Sequence, residues 1–132
     1  MSSNTRRPVI RRESAQEQFT VLQILEKDDF EQIRPIGEID LHTAPVLRDA
    51  LADTERRQVR NVLVDMSDVQ FLALVGVQVL RAAGARSAAE NRRLVLAAPT
   101  HPVQRVLSLT EVTGELEIYV TLPSAMSALA RT

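Results

Sequence analysis

Two short apolar runs constrain the fold most: NVLVDM at residues 61–66 and LVLA at residues 94–97. Neither run alternates polar with apolar residues, so each predicts a β-strand that is covered on both faces. Apolar residues recur at three- and four-residue intervals over residues 44–56 and 75–90, which predicts a helix in each segment. Buried strands joined by helices form parallel sheets with right-handed crossovers, so the pattern predicts an α/β fold.

The remaining segments extend this sheet. Residues 19–25 and 30–36 flank a charged turn and predict a β-hairpin. Downstream, Pro102 opens a third helix, residues 116–120 form a last strand, and residues 123–130 form a closing helix. We therefore expect a mixed, mostly parallel sheet of about five strands with about four helices.

The first 17 residues are polar and carry four arginines, with no apolar periodicity. We predict a flexible tail over residues 1–17 and one domain over residues 18–132. Ser14 in this tail follows Arg11, Arg12 and Glu13, a sequence of the kind that basophilic kinases modify. Ser14 is therefore a candidate phosphosite, and the alternative is that the tail is a plain solvated extension.

Composition excludes several classes of function. The 132 residues include no cysteine, which excludes a disulfide, a thiolate metal site and a cysteine nucleophile. The formal net charge of -1 provides no long-range field that would favour direct binding of nucleic acid. No apolar run approaches the roughly 18 residues of a membrane span, so we expect no membrane insertion and a cytoplasmic protein.

Catalytic motifs are missing from the sequence. It contains no phosphate-binding glycine loop, no zinc-protease motif and no nucleophile elbow. His42 and His101 are the only imidazoles, and no paired nucleophile accompanies either of them. Asp40, Asp65 and Asp68 follow strand ends, where aspartate usually bonds the local backbone, although a carboxylate site is the alternative. We expect no enzymatic activity, no metal and no cofactor.

Three segments resemble the motifs of a known family, and the last of them, residues 92–119, resembles its later strand, helix and final strand. VLVDMSDVQFLALVG, at residues 62–76, resembles the D-x-S-x-V-x-F-x-D-S-S-G strand, loop and helix start of the STAS family. GEIDLHTAPVLRDAL, at residues 37–51, resembles the family's G-E-[LI]-D-x-x-[TS]-A-x-x-L-x-x-x-L. The matching residues are Gly37, Glu38, Asp40, Thr43, Ala44, Leu47, Leu51, Asp65, Ser67, Val69, Phe71 and Gly76. The resemblance covers residues 19–129 and implies a STAS-like fold, as in anti-sigma-factor antagonists and the cytoplasmic tails of sulfate transporters.

The chain departs from the family pattern where the second long helix begins. Ala73, Leu74 and Val75 stand in place of the family's Asp, Ser and Ser. The resemblance implies that Leu74 occupies the position of the serine that, in antagonists, is phosphorylated by an anti-sigma factor with kinase activity. A leucine accepts no phosphate, so we interpret Leu74 as a degenerate phosphosite.

The resemblance also implies where a partner would bind. The implied contact residues flank the start of the second long helix and the loop before the first: Asp40, Thr43, Leu72, Ala73, Leu74, Val75 and Gly76. We expect Thr43 to cap the first helix and Asp40 to accept a hydrogen bond from a partner's Arg or Lys. Two interpretations of the altered positions stay open. Either Leu74 and Val75 tuck partly into the core, or Leu72 or Leu74 projects into solvent as an apolar docking patch.

The motifs together predict an anti-sigma-factor antagonist-like regulator that binds an anti-sigma factor or a related kinase-like protein in a partner-switching pathway. The alternative is a STAS-type scaffold subunit of a transport or stress-signalling complex. A nucleotide or small-anion sensor is disfavoured, because the loop at residues 74–76 offers no Lys, Arg or hydroxyl group. The oligomeric state stays open, with a homodimer as one alternative.

Overall fold

The protein is described by a computed structural model that covers residues 7–16, 18–26, 29–111 and 114–130. The strands are β1 (Val9–Glu13), β2 (Thr20–Leu25), β3 (Phe30–Ile39), β4 (Asn61–Asp65), β5 (Val69–Leu72), β6 (Arg93–Ala97) and β7 (Glu117–Tyr119). The helices are α1 (Ala44–Arg56), α2 (Leu74–Ala89), α3 (His101–Leu109) and α4 (Leu122–Ala130). From β3 onward helices alternate with strands, except that β5 follows β4 directly, so the predicted α/β class is confirmed.

Parallel pairing dominates the sheet. The strand order is β1-β2-β3-β4-β6-β7, and β5 pairs with β3 beside this path. The two pairs at the N-terminal side, β1 with β2 and β2 with β3, are antiparallel. The pairs of β3 with β4, β3 with β5, β4 with β6 and β6 with β7 are parallel. The predicted mixed, mostly parallel STAS-like sheet is confirmed, and it has seven strands because β1 and β5 add to the expected ones.

Strand β3 is long enough to pair with two strands, β4 and β5, along the same edge. Residues 30–33 run parallel to β4, and residues 37–39 run parallel to β5. The register shifts between Gly37 and Glu38, where Gly37 has a φ of +121°. A Cβ at Gly37 would lie only 2.9 Å from the carbonyl oxygen of Gln18, so both the conformation and the space require glycine. The shift brings the end of β3 beside the end of β5.

Helices cover both faces of the sheet. α1, α2 and α3 bury the larger core cluster on one face, and its members include Ile33, Leu47, Val64, Leu80 and Leu107. α4 contacts β4, β6 and β7 on the other face and packs Ala125 and Leu129 against Leu63 and Val95. Full burial of one such aliphatic side chain contributes about 1.5–3 kcal/mol, which makes these clusters the main favourable term in folding.

The predicted flexible tail is wrong for residues 9–13, which form β1 and pair with β2 along its length. β1 is an edge strand whose two apolar side chains are both exposed. Arg12 reaches the amide oxygen of Gln23 instead of an apolar core. The strand therefore leaves no hydrophobic signal in the sequence. Residues 1–6 and 17 of the predicted tail lie outside the described residues.

A buried polar network lies beneath α1, where an aliphatic core would be expected. Gln23 of β2 and Glu31 of β3 are almost fully buried, and the Gln23 amide donates to Glu31 at 3.0 Å and to Asp53 of α1 at 3.1 Å. Arg57 donates to Glu31 Oε1 at 2.8 Å and to Asp53 Oδ2 at 2.6 Å. Arg12 joins β1 to this network through Gln23. The hydrogen bond from Arg57 is the main cause that holds the pKa of the Asp53 carboxyl below its usual value of 3.8.

The predicted boundaries hold for the helices better than for the short strands. α1 covers the predicted residues 44–56, and Pro102 lies in the first turn of α3 as expected. α2 begins at Leu74, one residue before its predicted start. β5 was not predicted because it has four residues, of which the two inner ones are exposed, too short a run for a periodic signal.

Candidate functional site

Two loops leave the sheet side by side at the carboxyl ends of β3 and β5. Ile39 pairs with Leu72 in the last register position, and the backbone N–H of Ala73 donates to the carbonyl of Ile39 at 2.8 Å. Beyond these residues, one chain turns through residues 40–43 into α1, and the other enters α2 at Leu74. The two predicted halves of the contact surface are therefore neighbours.

Three large apolar side chains are exposed at this edge, which we call the edge patch: Leu41 (71% exposed), Phe71 (46%) and Leu74 (58%). Leu74 is the first residue of α2, so its side chain stands in solvent at a helix start. The expectation that Leu74 tucks into the core is wrong. Val75 does so in part, because it packs against the larger core cluster.

Two of the predicted contact residues belong to the core. Leu72 is 1% exposed, and Gly76 is buried within the first turn of α2. A Cβ on Gly76 would lie 2.5 Å from Leu72 Cδ1 and 2.6 Å from Ile39 Cγ2, so glycine allows α2 to pack closely on β3 and β5. The prediction that Leu72 projects into solvent is wrong, because Leu72 is buried beside Gly76 at the end of β5, while its neighbour Phe71 is exposed.

The start of α2 is left without a side-chain cap. Ala73 occupies the N-cap position with an extended backbone and makes no side-chain capping bond, and the first turn contains no acidic residue. The carbonyl of Ala73 accepts hydrogen bonds from Gly76 N at 2.9 Å and Val77 N at 3.2 Å. A helix that begins on Ala and Leu forgoes about 1 kcal/mol that a serine or aspartate cap would contribute.

The loop before α1 is closed on itself by Asp40 and Thr43. Asp40 Oδ1 accepts from the backbone N–H of His42 at 2.9 Å and of Thr43 at 3.0 Å. Thr43 Oγ1 accepts from Asp40 N at 2.8 Å and lies 2.7 Å from the carbonyl oxygen of Glu38, to which it donates. Thr43 sits at the N-cap of α1 as predicted, but its hydroxyl makes no capping bond to the helix. The bond from Thr43 N is the main cause that lowers the pKa of Asp40.

An acidic depression adjoins this loop. It has a volume of about 300 Å³ and is lined by Gln18, Gly37, Glu38, Asp40, Thr43 and Gln70. The depression therefore connects the loop that follows β1 to the candidate site. A positively charged group of a partner would meet two carboxylates there, Glu38 and Asp40.

The remaining predicted groups make local bonds. Asp65 accepts from Ser67 N at 3.0 Å, and Asp68 pairs with Arg34, whose pKa is raised mainly by that hydrogen bond. Within the described ranges, no group of His, Asp and Glu residues is arranged to hold a metal ion.

The candidate tail phosphosite is not in an accessible tail. Ser14 is 8% exposed, and its Oγ is buried with no hydrogen-bond partner among the residues that the structure describes. The structure therefore places Ser14 in a buried position, and its modification stays a prediction.

Sequence reasoning missed two members of the edge patch. Leu41 stands between polar residues in a loop, where an apolar side chain has no core to enter, and this was an available signal. Phe71 was noted only as a motif match, because its outward orientation depends on the unpredicted strand β5.

Comparisons with known proteins show which domain family and which folds this chain is similar to. The STAS domain model matches residues 22–125. An anti-sigma factor antagonist from Mycobacterium paratuberculosis is 28% identical over 87% of this chain and 97% of its own, with a TM-score of 0.77. The anti-sigma factor antagonist SpoIIAA in its unphosphorylated form is 17% identical over 85% of this chain and 97% of its own, with a TM-score of 0.72. At that identity the second likeness concerns the fold alone.

A membrane protein shares the fold as well. The murine Solute Carrier 26 family member A9 anion transporter is 15% identical over 83% of this chain and 19% of its own, with a TM-score of 0.66. No helix in the described part of this chain has the length and apolar character needed to cross a bilayer. No curated protein sequence matches the chain significantly. The family model covers most of the chain, so this protein belongs to the STAS domain family.

Proposed function

We propose that this protein is an anti-sigma-factor antagonist-like regulator that binds an anti-sigma factor or a related kinase-like protein in a partner-switching pathway. The observation that carries the proposal is Leu74, which is 58% exposed at the first position of α2. By resemblance, antagonists carry their phosphorylated serine at this position. A protein that uses Leu74 for docking binds without phosphorylation at that site.

The energetics of the edge patch favour a binding role over a folding role. Leu41, Phe71 and Leu74 keep about half or more of their surface in water, so each contributes less to folding than a core side chain does. Burial against a partner would stabilise a complex by up to about 1.5–3 kcal/mol for each side chain. Exposed apolar groups beside polar ones form the usual anatomy of a docking surface.

The polar rim supports the same proposal. Asp40 has a lowered pKa, so its carboxylate is charged at neutral pH. Together with Glu38 in the acidic depression, it offers a place for an Arg or Lys of the partner. Ala73, Val75 and Thr43 complete the proposed contact surface, while Leu72 and Gly76 support it from the core.

The test is partner capture from the cytosolic extract of the protein's own host, with ATP or ADP added and quantitative mass spectrometry as the readout. Leu74→Asp is expected to lower recovery of an ATP-binding anti-sigma factor by about tenfold or more, which corresponds to about 1.4 kcal/mol of binding. The matched control is Leu109→Asp, because Leu109 is 77% exposed on α3 and lies outside the edge patch. Leu109→Asp is expected to leave the recovery unchanged.

Other outcomes of this experiment contradict the proposal. If both variants recovered equally less of the anti-sigma factor, the effect would not be specific to Leu74. The start of α2 would then not be the docking site. Recovery of transporter or stress-assembly subunits would favour a STAS-type scaffold instead. Thermal unfolding of each variant, together with light scattering to count protomers, separates lost binding from lost structure and from a change in a homodimer.

A further inference from the structure

We propose that Ser14 is a phosphosite hidden by the pairing of β1, and that its phosphorylation keeps β1 released from the sheet. This inference about phosphorylation and strand release does not depend on the proposed anti-sigma-factor role. The proposal begins from an unusual group. Ser14 is more than nine-tenths buried at the end of β1, and its hydroxyl has no hydrogen-bond partner among the described residues. Buried hydroxyls are normally paired, so this one calls for an explanation.

The sequence that a basophilic kinase would bind is folded into β1. Arg11 and Arg12 belong to the strand, and Ser14 N donates to the carbonyl of Phe19 at 2.9 Å. Arg12 also donates to Gln23 in the buried polar network. A kinase has to surround the serine and contact the arginines before it, which this arrangement prevents. Phosphorylation therefore requires that β1 detaches first.

β1 is the strand most easily detached. None of its residues belongs to either core cluster, and its apolar side chains, Val9 and Ile10, are exposed. Segments with few buried apolar contacts open locally without global unfolding. Phe19 is almost fully buried in the larger core cluster, so opening would end there.

The modified serine could not return to its folded place. A kinase transfers the γ-phosphoryl group of ATP to Ser14 Oγ, which forms the new O–P bond while the hydroxyl proton leaves and ADP departs. The product carries nearly two negative charges at neutral pH. No donor in the described chain reaches the Oγ in the paired state, so the phosphate is expected to stay in water and keep β1 released.

Release would alter the wall of the acidic depression. Gln18 lines it opposite Asp40 and Thr43, and the carbonyl of Gln18 lies against Gly37. Any effect of release on partner docking rests on the proposed function. Phosphorylation and release themselves are measured without a partner.

The test locks β1 with a reversible bond. Val9 and Ile24 face each other across β1 and β2, and the neighbouring bond from Leu25 N to the carbonyl of Pro8 makes theirs a non-hydrogen-bonded pair, whose side chains are close. Val9→Cys with Ile24→Cys adds the only two cysteines of the chain. The oxidised and reduced forms of this variant are incubated with MgATP and the catalytic subunit of a basophilic protein kinase, and phosphate on Ser14 is quantified by mass spectrometry.

We expect phosphorylation of the reduced form and a rate lower by about tenfold or more in the oxidised form, because access tracks the open population. Equal rates in both forms would overturn the hidden site. A free peptide of residues 7–18 is the positive control for the sequence. The proposal is also overturned if neither form is modified while the peptide is, or if the peptide itself is not modified.

Hydrogen exchange measures release directly. In wild-type protein phosphorylated at Ser14, amides of β1 and the β1-facing amides of β2 are expected to exchange about tenfold faster or more, while those of β4 and β6 keep their rates. Unchanged protection of β1 after modification would refute release.

Discussion

The edge patch and the buried polar network both depart from the usual rule that apolar side chains are buried and polar ones exposed. The patch exposes apolar side chains, and the network buries polar ones. At the carboxyl ends of β3 and β5, apolar Leu41 and Leu74 stand in water. Beneath α1, Glu31 and Gln23 are buried where aliphatic residues would serve. Only the network satisfies its groups internally, through hydrogen bonds among its own members. The patch has nothing in the described chain to cover it.

This contrast separates residues that hold the fold from residues that are free for binding. A buried carboxylate without its guanidinium is costly, so substitutions in the network should affect stability strongly. Exposed apolar side chains contribute little to folding, so substitutions in the patch should leave stability unchanged. Four predictions, from the largest expected effect to the smallest, can break or sharpen this comparison.

Arg57→Met is expected to lower the free energy of unfolding by about 3 kcal/mol, because it leaves Glu31 buried without its cation. The neighbouring Arg56→Met is the matched control. Arg56 is largely exposed and its ion pair is with Asp53, not with the buried Glu31, so its loss should cost about 0.5 kcal/mol or less. Urea unfolding followed by circular dichroism measures both, and equal effects would show that the network does not stabilise the fold.

Gly76→Ala is expected to lower the free energy of unfolding by about 1–3 kcal/mol, because the new methyl group meets Leu72 and Ile39 at distances that real contacts do not reach. Gly114→Ala is the control, since a Cβ there has no atom within 4 Å. The same urea titrations apply. An unchanged urea midpoint for Gly76→Ala would mean that α2 moves to accommodate the methyl group without loss of stability. The packing beneath the edge patch would then be deformable.

Acid is expected to weaken the network through Asp53. Its pKa is lowered in the folded protein, so its contribution to stability is present above the unfolded value near 3.8 and is lost as the pH falls through the folded value. The stability difference between wild type and Asp53→Asn should therefore shrink from about pH 7 to about pH 3. Urea unfolding at both pH values tests this, with Asp49→Asn on the exposed face of α1 as control.

Leu74→Asp is expected to have the smallest effect on folding. The side chain is exposed, and an acidic group in the first turn of a helix interacts favourably with the free N–H groups, so the unfolding free energy should stay unchanged or rise by up to about 1 kcal/mol. Thermal unfolding measures it. If Leu74→Asp lowered the free energy of unfolding by more than about 1 kcal/mol, Leu74 would belong to the residues that stabilise the fold. The contrast between the edge patch and the buried polar network would then fail.

The sequence predicted elements that bury a continuous apolar face. α1 and α2 carry a helical apolar period, the central strands β4 and β6 are continuous apolar runs, and the hairpin of β2 and β3 shows such a signal in part. β1 and β5 were not predicted because β1 is an exposed edge strand and β5 pairs with β3 beyond a register shift at Gly37, and no local pattern encodes either arrangement. The family motifs supplied the STAS-like fold, which the structure confirms.

The sequence did not determine which of the predicted contact residues are exposed. Leu74 and Leu72 are both leucines next to a helix start, and their sequence does not say which of them faces water. The packing at the end of β5 decides it, because Leu72 is buried beside Gly76 while Leu74 is exposed. Ser14 was predicted to lie in a tail because β1, which precedes it, contains two arginines and has no alternating apolar pattern.

The self-closed loop before α1 has a consequence for how such proteins diversify. Asp40 and Thr43 fix the path of the backbone through bonds among themselves and their neighbours, and Leu41 takes no part in those bonds. A change of residue at position 41 therefore alters the exposed surface without changing the path of the loop. After gene duplication, one substitution is enough to give two copies different exposed surfaces on the same scaffold.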